Sequence, residues 1–184
     1  MSFVLSLKRA FRMFKLDEKA MIELSKENHA SWYGLLIIAI AGVCFGLSLI
    51  FVDTTLSILT VIGAPILMII TSFIGIAVLF ILSKLLGGKG NFHNFYRAYS
   101  HMYVFNWIAI IPWIGPFLSS LVGVWQVIMA IYITKATQKL TMGKAAIVVL
   151  VPVFVLLLLA VFTSLVVALT LFLKYSYTLV QPGV

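Results

Sequence analysis

Two histidines and an arginine near the middle of the chain are the side chains best suited to chemistry. His93, Arg97 and His101 follow one another at intervals of four residues, which places them on one stripe of a helix. An imidazole can ligate a metal ion or transfer a proton, and a guanidinium binds phosphate. The histidines lie about 12 Å apart along such a helix, too far to share one metal ion without ligands from elsewhere. We therefore expect the stripe to contact lipid headgroups or to form pH-sensitive hydrogen bonds, and we expect no metal site.

Three glycines just before this stripe could cradle a phosphate. The run "GGKG" at residues 87–90 lacks the Gly-Lys-Ser/Thr ending of a P-loop, and no strand precedes it. Glycine is favoured just beyond the C-terminus of a helix, and Lys84 and Lys89 suit the negative end of a helix dipole. Asn91 is a good N-cap for a following helix. The run therefore predicts a turn between two helices, and no nucleotide or other cofactor.

Two uncharged polar side chains lie in the apolar second half of the chain. Asn106 and Gln126 flank "PWIGP" at residues 112–116, so they could hydrogen-bond across two helices, a bond worth about 0.6 kcal/mol. The alternative interpretation is a polar lining for a substrate path. Residues 98–134 and 145–173 hold no Lys, Arg, Asp or Glu, and no set of nucleophile, base and oxyanion donors can be assembled. We therefore predict that the protein is not an enzyme.

Membrane helices must position these residues. The chain of 184 residues is 63% hydrophobic and only 10% charged, whereas average soluble domains carry about 25% charged residues. Lipid cannot satisfy the backbone of open strands, so the expected class is an all-α membrane protein. Gly42 and Gly46 form a small-residue face for close packing within the chain or in a dimer. Five apolar segments are predicted to span the bilayer, at about residues 32–52, 56–86, 91 or 98 to 114, 117–134 and 142–174.

The N-terminal segment predicts an amphipathic helix over residues 3–19. Its apolar face holds Phe3, Leu7, Ala10, Phe11 and Phe14, and its opposite face holds Lys8, Arg12, Lys15 and Lys19. Such a helix lies in the membrane interface, although a helix packed on the protein's own cytosolic surface shows the same pattern. Residues 17–31 are polar and predict a short solvated helix or linker. We thus divide the chain into a cytosolic part (1–31), a transmembrane domain (32–176) and a short external tail (177–184).

The distribution of cations predicts the orientation. Residues 1–31 hold six Lys or Arg, the loops at 84–97 and 135–144 hold three each, and the tail holds Lys174. Five spans put twelve of the thirteen cations on one side, which the positive-inside rule assigns to the cytosol. The N-terminus is then cytosolic and the C-terminus external. A re-entrant hairpin made of the third and fourth segments would leave every charge on the same side, so both versions stay open.

Three stretches resemble the Yip1-domain family of membrane proteins. They are "LLGGKGNFHNFYRAYSHM", the proline-marked "NWIAIIPWIGP", and "VGVWQVIMAIYITKATQKLTMGKAAIVVLVPV". The resemblance covers about residues 30–175 and includes the order of five spans. It implies a membrane protein with this fold, and, for eukaryotic members, vesicle trafficking with small GTPases and assembly of family members with one another. This chain lacks their Asp-Leu-Tyr-Gly-Pro element and their long cytosolic N-terminal region, so it looks more like a bacterial or archaeal member.

Our functional hypothesis is a non-enzymatic membrane scaffold or adaptor that binds lipids or partner proteins at its cytosolic face. The alternative is a small-solute transporter or lipid scramblase with a path beside Asn106 and Gln126. We expect the plasma membrane of a bacterium or archaeon, with the Golgi or endoplasmic reticulum as the alternative. Partners would be membrane lipids, other membrane proteins or further copies of the chain, and not nucleic acid, because the cations sit in short groups beside apolar segments. The predicted contact residues are Lys8, Arg12, Lys15, Lys89, His93, Arg97, His101, Lys139 and Lys144.

Overall fold

A computed structural model describes the backbone of residues 2–50, 54–111 and 113–180, and the side chains of these ranges apart from residues 116 and 176–180. The predicted external loop at Asp53 and the tail beyond residue 180 lie outside the described residues. The described chain is helical and holds no strand. In order, the elements are α1 (Phe3–Phe14), α2 (Glu18–Lys26), α3 (Ala30–Ser48), α4 (Thr54–Leu85), α5 (Phe92–His101), a 3₁₀ helix (Met102–Ile110), α6 (Gly115–Gln138) and α7 (Met142–Val180).

Four of these helices are long and apolar enough to cross a membrane. They correspond to residues Ala30–Ser48, Thr54–Leu85, Phe117–Gln138 and Met142–Tyr175. The third predicted span is not among them, because it consists of the polar helix α5 followed by a 3₁₀ helix of nine residues. The prediction of a helical membrane protein is confirmed, whereas the count of five spans and the orientation stay predictions.

Small residues bring α3 and α4 close together. A Cβ atom on Gly42 would lie 2.6 Å from the backbone of Pro65, and one on Gly46 would lie 2.5 Å from the backbone nitrogen of Val61. The Ser57 hydroxyl also donates to the Gly46 carbonyl at 2.9 Å. The small-residue face therefore packs two helices within one chain, one of the two uses that the sequence allows.

The N-terminal helices pack on α5 and α6. Asp17 caps α2 by accepting from the backbone amides of Lys19 and Ala20. Met13 and Leu24 then lie fully buried in one apolar cluster with Phe95 of α5 and Met129 of α6. The segment predicted as a solvated helix or linker is thus a helix with one buried face, because alanine, methionine and leucine recur along that face.

The chain divides into two compact units, residues 1–149 and 150–184. The second unit consists of the remainder of α7, whose side chains from Phe154 to Tyr175 are all exposed in the single chain. Every site considered below lies in the first unit.

Candidate functional site

The glycine run ends α4, as the sequence predicts. The Gly88 amide donates to the Ser83 carbonyl at 2.8 Å, and the Gly87 amide donates to the Lys84 carbonyl at 3.0 Å. Gly87 has a φ of +91°, so it is the left-handed residue of this C-terminal cap. Asn91 then caps α5, because its side chain accepts from the Asn94 amide at 2.8 Å. The run therefore makes the turn between α4 and α5.

The same turn packs tightly against the end of α6. The Lys89 amide donates to the Gln138 carbonyl at 2.9 Å. A Cβ on Gly90 would lie 2.3 Å from the Thr137 carbonyl oxygen, and one on Gly88 would lie 3.0 Å from the Gln138 side chain. Glycine is needed at Gly90 because the backbone of α6 occupies the space of a Cβ, and at Gly88 because the Ser83 carbonyl oxygen lies 2.8 Å from the same position. The loop after α4 and the loop after α6 consequently lie side by side, at what we call the basic end.

Four lysines surround this junction, and we call Lys84, Lys89, Lys139 and Lys144 the lysine patch. The Lys84 ammonium donates to the Gly88 carbonyl at 3.2 Å, and the Lys144 ammonium donates to the Leu86 carbonyl at 3.0 Å. Both bonds hold a lysine side chain against the turn that follows α4. All four side chains are exposed, and within the described part of the chain none of them forms a salt bridge. The patch keeps its positive charge available to an anion.

The predicted stripe on α5 separates into one exposed and two buried side chains. His93 is exposed, and its Nε2 lies 3.2 Å from the Ser31 hydroxyl of α3. Arg97 is only 8% exposed. Its Nε donates to the same hydroxyl at 3.1 Å, and a terminal nitrogen donates to the Asn28 carbonyl at 3.4 Å. Ser31 thus joins an exposed imidazole to a buried guanidinium.

His101 is fully buried and does not reach headgroups from this position. Its Nδ1 lies 2.6 Å from the Arg97 carbonyl, which can only accept, so Nδ1 carries the proton of the neutral ring. Its Nε2 then accepts from the Ser6 hydroxyl at 2.6 Å. The predicted lipid contact does not fit this residue, because Nδ1 is used within α5 and Nε2 is used to hold α1 against α5.

Helix α1 combines both arrangements that its amphipathic pattern allows. Ser6, Ala10 and Met13 are fully buried against the protein, whereas Val4 and Phe11 stay 59% and 58% exposed. At the end of the helix, Phe14 contacts α6, where its carbonyl accepts a hydrogen bond from the indole nitrogen of Trp125 at 3.1 Å. One face of α1 is therefore docked, and a neighbouring apolar face is open to lipid.

Within the described part of the chain, some of the cations of α1 form salt bridges and others do not. Arg12 lies 2.7 Å from the Asp17 carboxylate, and Arg9 lies 2.8 Å from the Glu23 carboxylate. The Arg12 guanidinium holds the pKa of Asp17 below its ordinary value. Lys8 and Lys15 are exposed, and among the described residues they form no salt bridge. The acids of α2 thus neutralise the arginines of α1 and leave its lysines charged.

Asn106 and Gln126 form the predicted hydrogen bond. The Gln126 amide nitrogen donates to the Asn106 side-chain oxygen at 2.8 Å and to the Met102 carbonyl at 3.1 Å. The first bond joins the 3₁₀ helix to α6 across the turn between them. The polar groups of the pair face each other, as expected of interhelical packing.

The predicted contact residues therefore fall into three groups. Lys89, Lys139 and Lys144 lie together in the lysine patch, and His93 and Arg97 meet at Ser31, whereas Lys8, Arg12, Lys15 and His101 lie on or beneath α1. Sequence reasoning missed Ser31, Asn28 and Gln138. Their partners are distant in sequence, and a lone serine or asparagine beside a span carries no signal that would identify them.

Among the described residues, no group of three or more His, Cys, Asp or Glu side chains could hold a metal ion. In comparisons with known proteins, the sequence profile of the Yip1 domain matches residues 14–173. The curated proteins gave no match, and the solved structures gave none. The matched region includes every element from the end of α1 into α7, and hence the lysine patch and the α5 stripe.

Proposed function

The chain belongs to the Yip1-domain family of membrane proteins, and from this premise we propose that it is a non-enzymatic scaffold or adaptor. Its basic end binds an anionic surface at the cytosolic face, either acidic partner proteins or anionic lipid headgroups. The plasma membrane of a bacterium or archaeon is the proposed location, and assembly with further copies of the chain is part of the proposal.

One observation carries this proposal, namely the difference between the two groups of cations. The arginines of α1 are paired with the carboxylates of Glu23 and Asp17, which neutralise their charge. The lysine patch has four exposed ammonium groups held together by the packing of Gly88 and Gly90 on α6. Clustered lysines beside a membrane helix attract anionic partners by about 1 kcal/mol each near the surface.

A double variant, Lys89→Gln with Lys139→Asn, tests the lysine patch. Asparagine tolerates the left-handed conformation in which Lys139 ends α6, with a φ of 55°. The control is Lys19→Gln with Lys26→Gln, which removes the same charge from exposed positions outside the patch. Both variants are reconstituted in nanodiscs, where the anionic lipid around each chain is measured. Both are also expressed in native membranes, where the cross-linked partner proteins are identified.

We expect the patch variant to lose partners or anionic lipid that the control retains. Equal binding by wild type, variant and control would refute the scaffold proposal. The alternative transporter or scramblase has no observation in its favour, because Asn106 and Gln126 bond to each other. Solute or lipid flux above that of empty vesicles in the same preparations would nevertheless establish it.

A further inference from the structure

An apolar groove runs between α3, α4 and α5, and the polar side chains of Ser31 and His93 line the part that we call its mouth. Its volume is about 570 Å³, and it is lined by Trp32 and Leu35 of α3 and by Ile70 and Phe73 of α4. Ligand sites in proteins commonly measure about 300–1,000 Å³, so the space suits part of a lipid-sized molecule. The walls belong to two helices that are long and apolar enough to cross a membrane, so the groove opens toward acyl chains.

Behind the mouth lies Arg97, a buried cation that donates hydrogen bonds to two neutral groups. Arg97 donates to the Ser31 hydroxyl and the Asn28 carbonyl, which uses two of its five N–H groups. Among the described residues it forms no salt bridge. Glu27 attracts it through space, but that carboxylate also lies 3.5 Å from Arg9. Buried charges are normally paired at contact distance, whereas among the described residues no carboxylate lies within 4.0 Å of this guanidinium.

The exposed imidazole of His93 lines the groove, so an anion would reach this site through the groove. Ser31 Oγ lies 3.2 Å from His93 Nε2 and 3.1 Å from Arg97 Nε, so the three polar side chains converge. Arginine and histidine beside a hydroxyl are groups that bind phosphate oxygens. Trp32, which is 73% exposed beside this mouth, is the residue type that sits at the headgroup level of bilayers.

A second groove on α4 provides an internal comparison. It measures about 350 Å³ and is lined by Phe45, Leu59, Leu67 and their neighbours. No ionisable side chain lines it. Two apolar grooves thus share α4, and among the described residues only the first is lined by a histidine and by a hydroxyl that accepts from an arginine, Arg97. Charge complementarity therefore distinguishes the first groove from an ordinary irregularity of the lipid-facing surface.

We infer that the groove between α3, α4 and α5 is a binding site for one anionic phospholipid. An acyl chain lies between Trp32 and Phe73, and the phosphate lies at Ser31, His93 and Arg97. This inference goes beyond the proposed function, because it does not involve the lysine patch and would hold for a protein with no partner.

The experiment uses the full chain in nanodiscs of phosphatidylglycerol and phosphatidylcholine, followed by native mass spectrometry of the lipid that stays bound. Ile70→Trp fills the groove from a position that is 50% exposed, and His93→Ala removes the exposed part of the mouth. The matched controls are Leu67→Trp, which fills the second groove, and His29→Ala, which removes another exposed histidine.

We expect wild type to retain one phosphatidylglycerol per chain in preference to phosphatidylcholine. Loss of a hydrogen bond to a charged group costs roughly tenfold or more in affinity, so His93→Ala should lower this occupancy by about that factor. Ile70→Trp should abolish it, and both controls should retain it. Arg97→Lys should keep more of the lipid than Arg97→Gln, and an excess of inorganic phosphate should not displace it.

Several results would overturn the inference. These are equal retention of the two lipids, equal loss in Ile70→Trp and Leu67→Trp, or a second copy of the chain cross-linked in the groove. The lysine-patch variant separates this inference from the proposed function. If that variant retains the lipid but loses partners, the lipid site and the scaffold proposal both stand. If it is the only variant that loses the lipid, the lipid site is not in the groove, and the lysine patch remains as the site of binding.

Discussion

Gly90 is a single residue on which the junction of the two basic loops depends. The Thr137 carbonyl oxygen occupies the space that a Cβ would need, at 2.3 Å. Because that oxygen is part of the backbone at the end of α6, it cannot move aside as a flexible side chain could. The sequence predicts glycine here only as a turn residue, whereas its packing role comes from a contact with another helix.

Gly90→Ala should therefore destabilise the protein. Overpacking of this kind costs about 1–3 kcal/mol, which should appear as a lower thermal unfolding midpoint in detergent. The control is Gly75→Ala on α4, where nothing lies within 4 Å of the added Cβ. Alanine is favoured over glycine in a helix by up to about 1 kcal/mol, so the control should unfold at the wild-type temperature or above it. A midpoint for Gly90→Ala that matches the control would contradict this packing argument.

Helix α1 is attached to the bundle by one buried polar bond within an apolar contact. The Ser6 hydroxyl and His101 Nε2 are both fully buried, and they are separated by 2.6 Å. Around this bond lie the buried side chains of Ala10, Ile37 and Val104. The helix is therefore docked on its own protein, and its exposed Phe11 remains available to the membrane.

Ser6→Ala should loosen α1 without changing the rest of the fold. The substitution leaves His101 Nε2 buried without a donor, which costs about 1–3 kcal/mol. We expect faster proteolysis within residues 3–14 and faster hydrogen exchange of the same amides. Ser48→Ala is the matched control, because the Ser48 hydroxyl donates only to the Phe45 carbonyl of its own helix. Protection of α1 that is equal in the two variants would show that the buried bond does not hold the helix.

At the scale of the whole first unit, the two lysine loops lie together. The backbone bond from Lys89 to Gln138 and the bond from Lys144 to Leu86 place these loops together. The segment between them, residues 92–138, must therefore leave the basic end and return to it. The 24 residues of α6 measure about 36 Å, more than the roughly 30 Å of a bilayer core. If α6 crosses fully, the preceding segment makes the opposite crossing.

That preceding segment has enough length for a crossing. The ten residues of α5 at about 1.5 Å each and the nine residues of the 3₁₀ helix at about 2.0 Å each reach about 33 Å. Five crossings are then compatible with four long apolar helices, and we retain five as the prediction.

Cysteine labelling measures this topology. In a Cys44→Ser background, Lys89→Cys and Lys139→Cys should react with a membrane-impermeant reagent from the cytosolic side. Thr54→Cys, Ile114→Cys and Tyr175→Cys should react from the opposite side. Labelling of Ile114→Cys from the cytosolic side would instead establish a re-entrant hairpin. Labelling of Lys89→Cys and Lys139→Cys from different sides would contradict the arrangement of the two loops.

The sequence alone predicts the features that depend on composition or on residues close together in the chain. Membrane residence follows from hydrophobic content, the turn after α4 follows from the glycine at its left-handed position, and the cap of α5 follows from Asn91. The pairing of Asn106 with Gln126 was predictable because a single turn separates their elements. Each of these features depends on residues close together in sequence or on a property of the whole composition.

Only the tertiary structure decided which cations are free and which are used internally. The contact of Ser6 with His101 joins residues 95 positions apart, and that of Ser31 with Arg97 joins residues 66 positions apart. A helical wheel shows that His93, Arg97 and His101 share a stripe, but it cannot show which neighbour covers each of them. In the structure, His93 stays at the surface, Arg97 lies beneath the mouth of a groove, and His101 holds α1. The physical reason is that packing between distant segments, and not periodicity, sets the environment of a polar side chain.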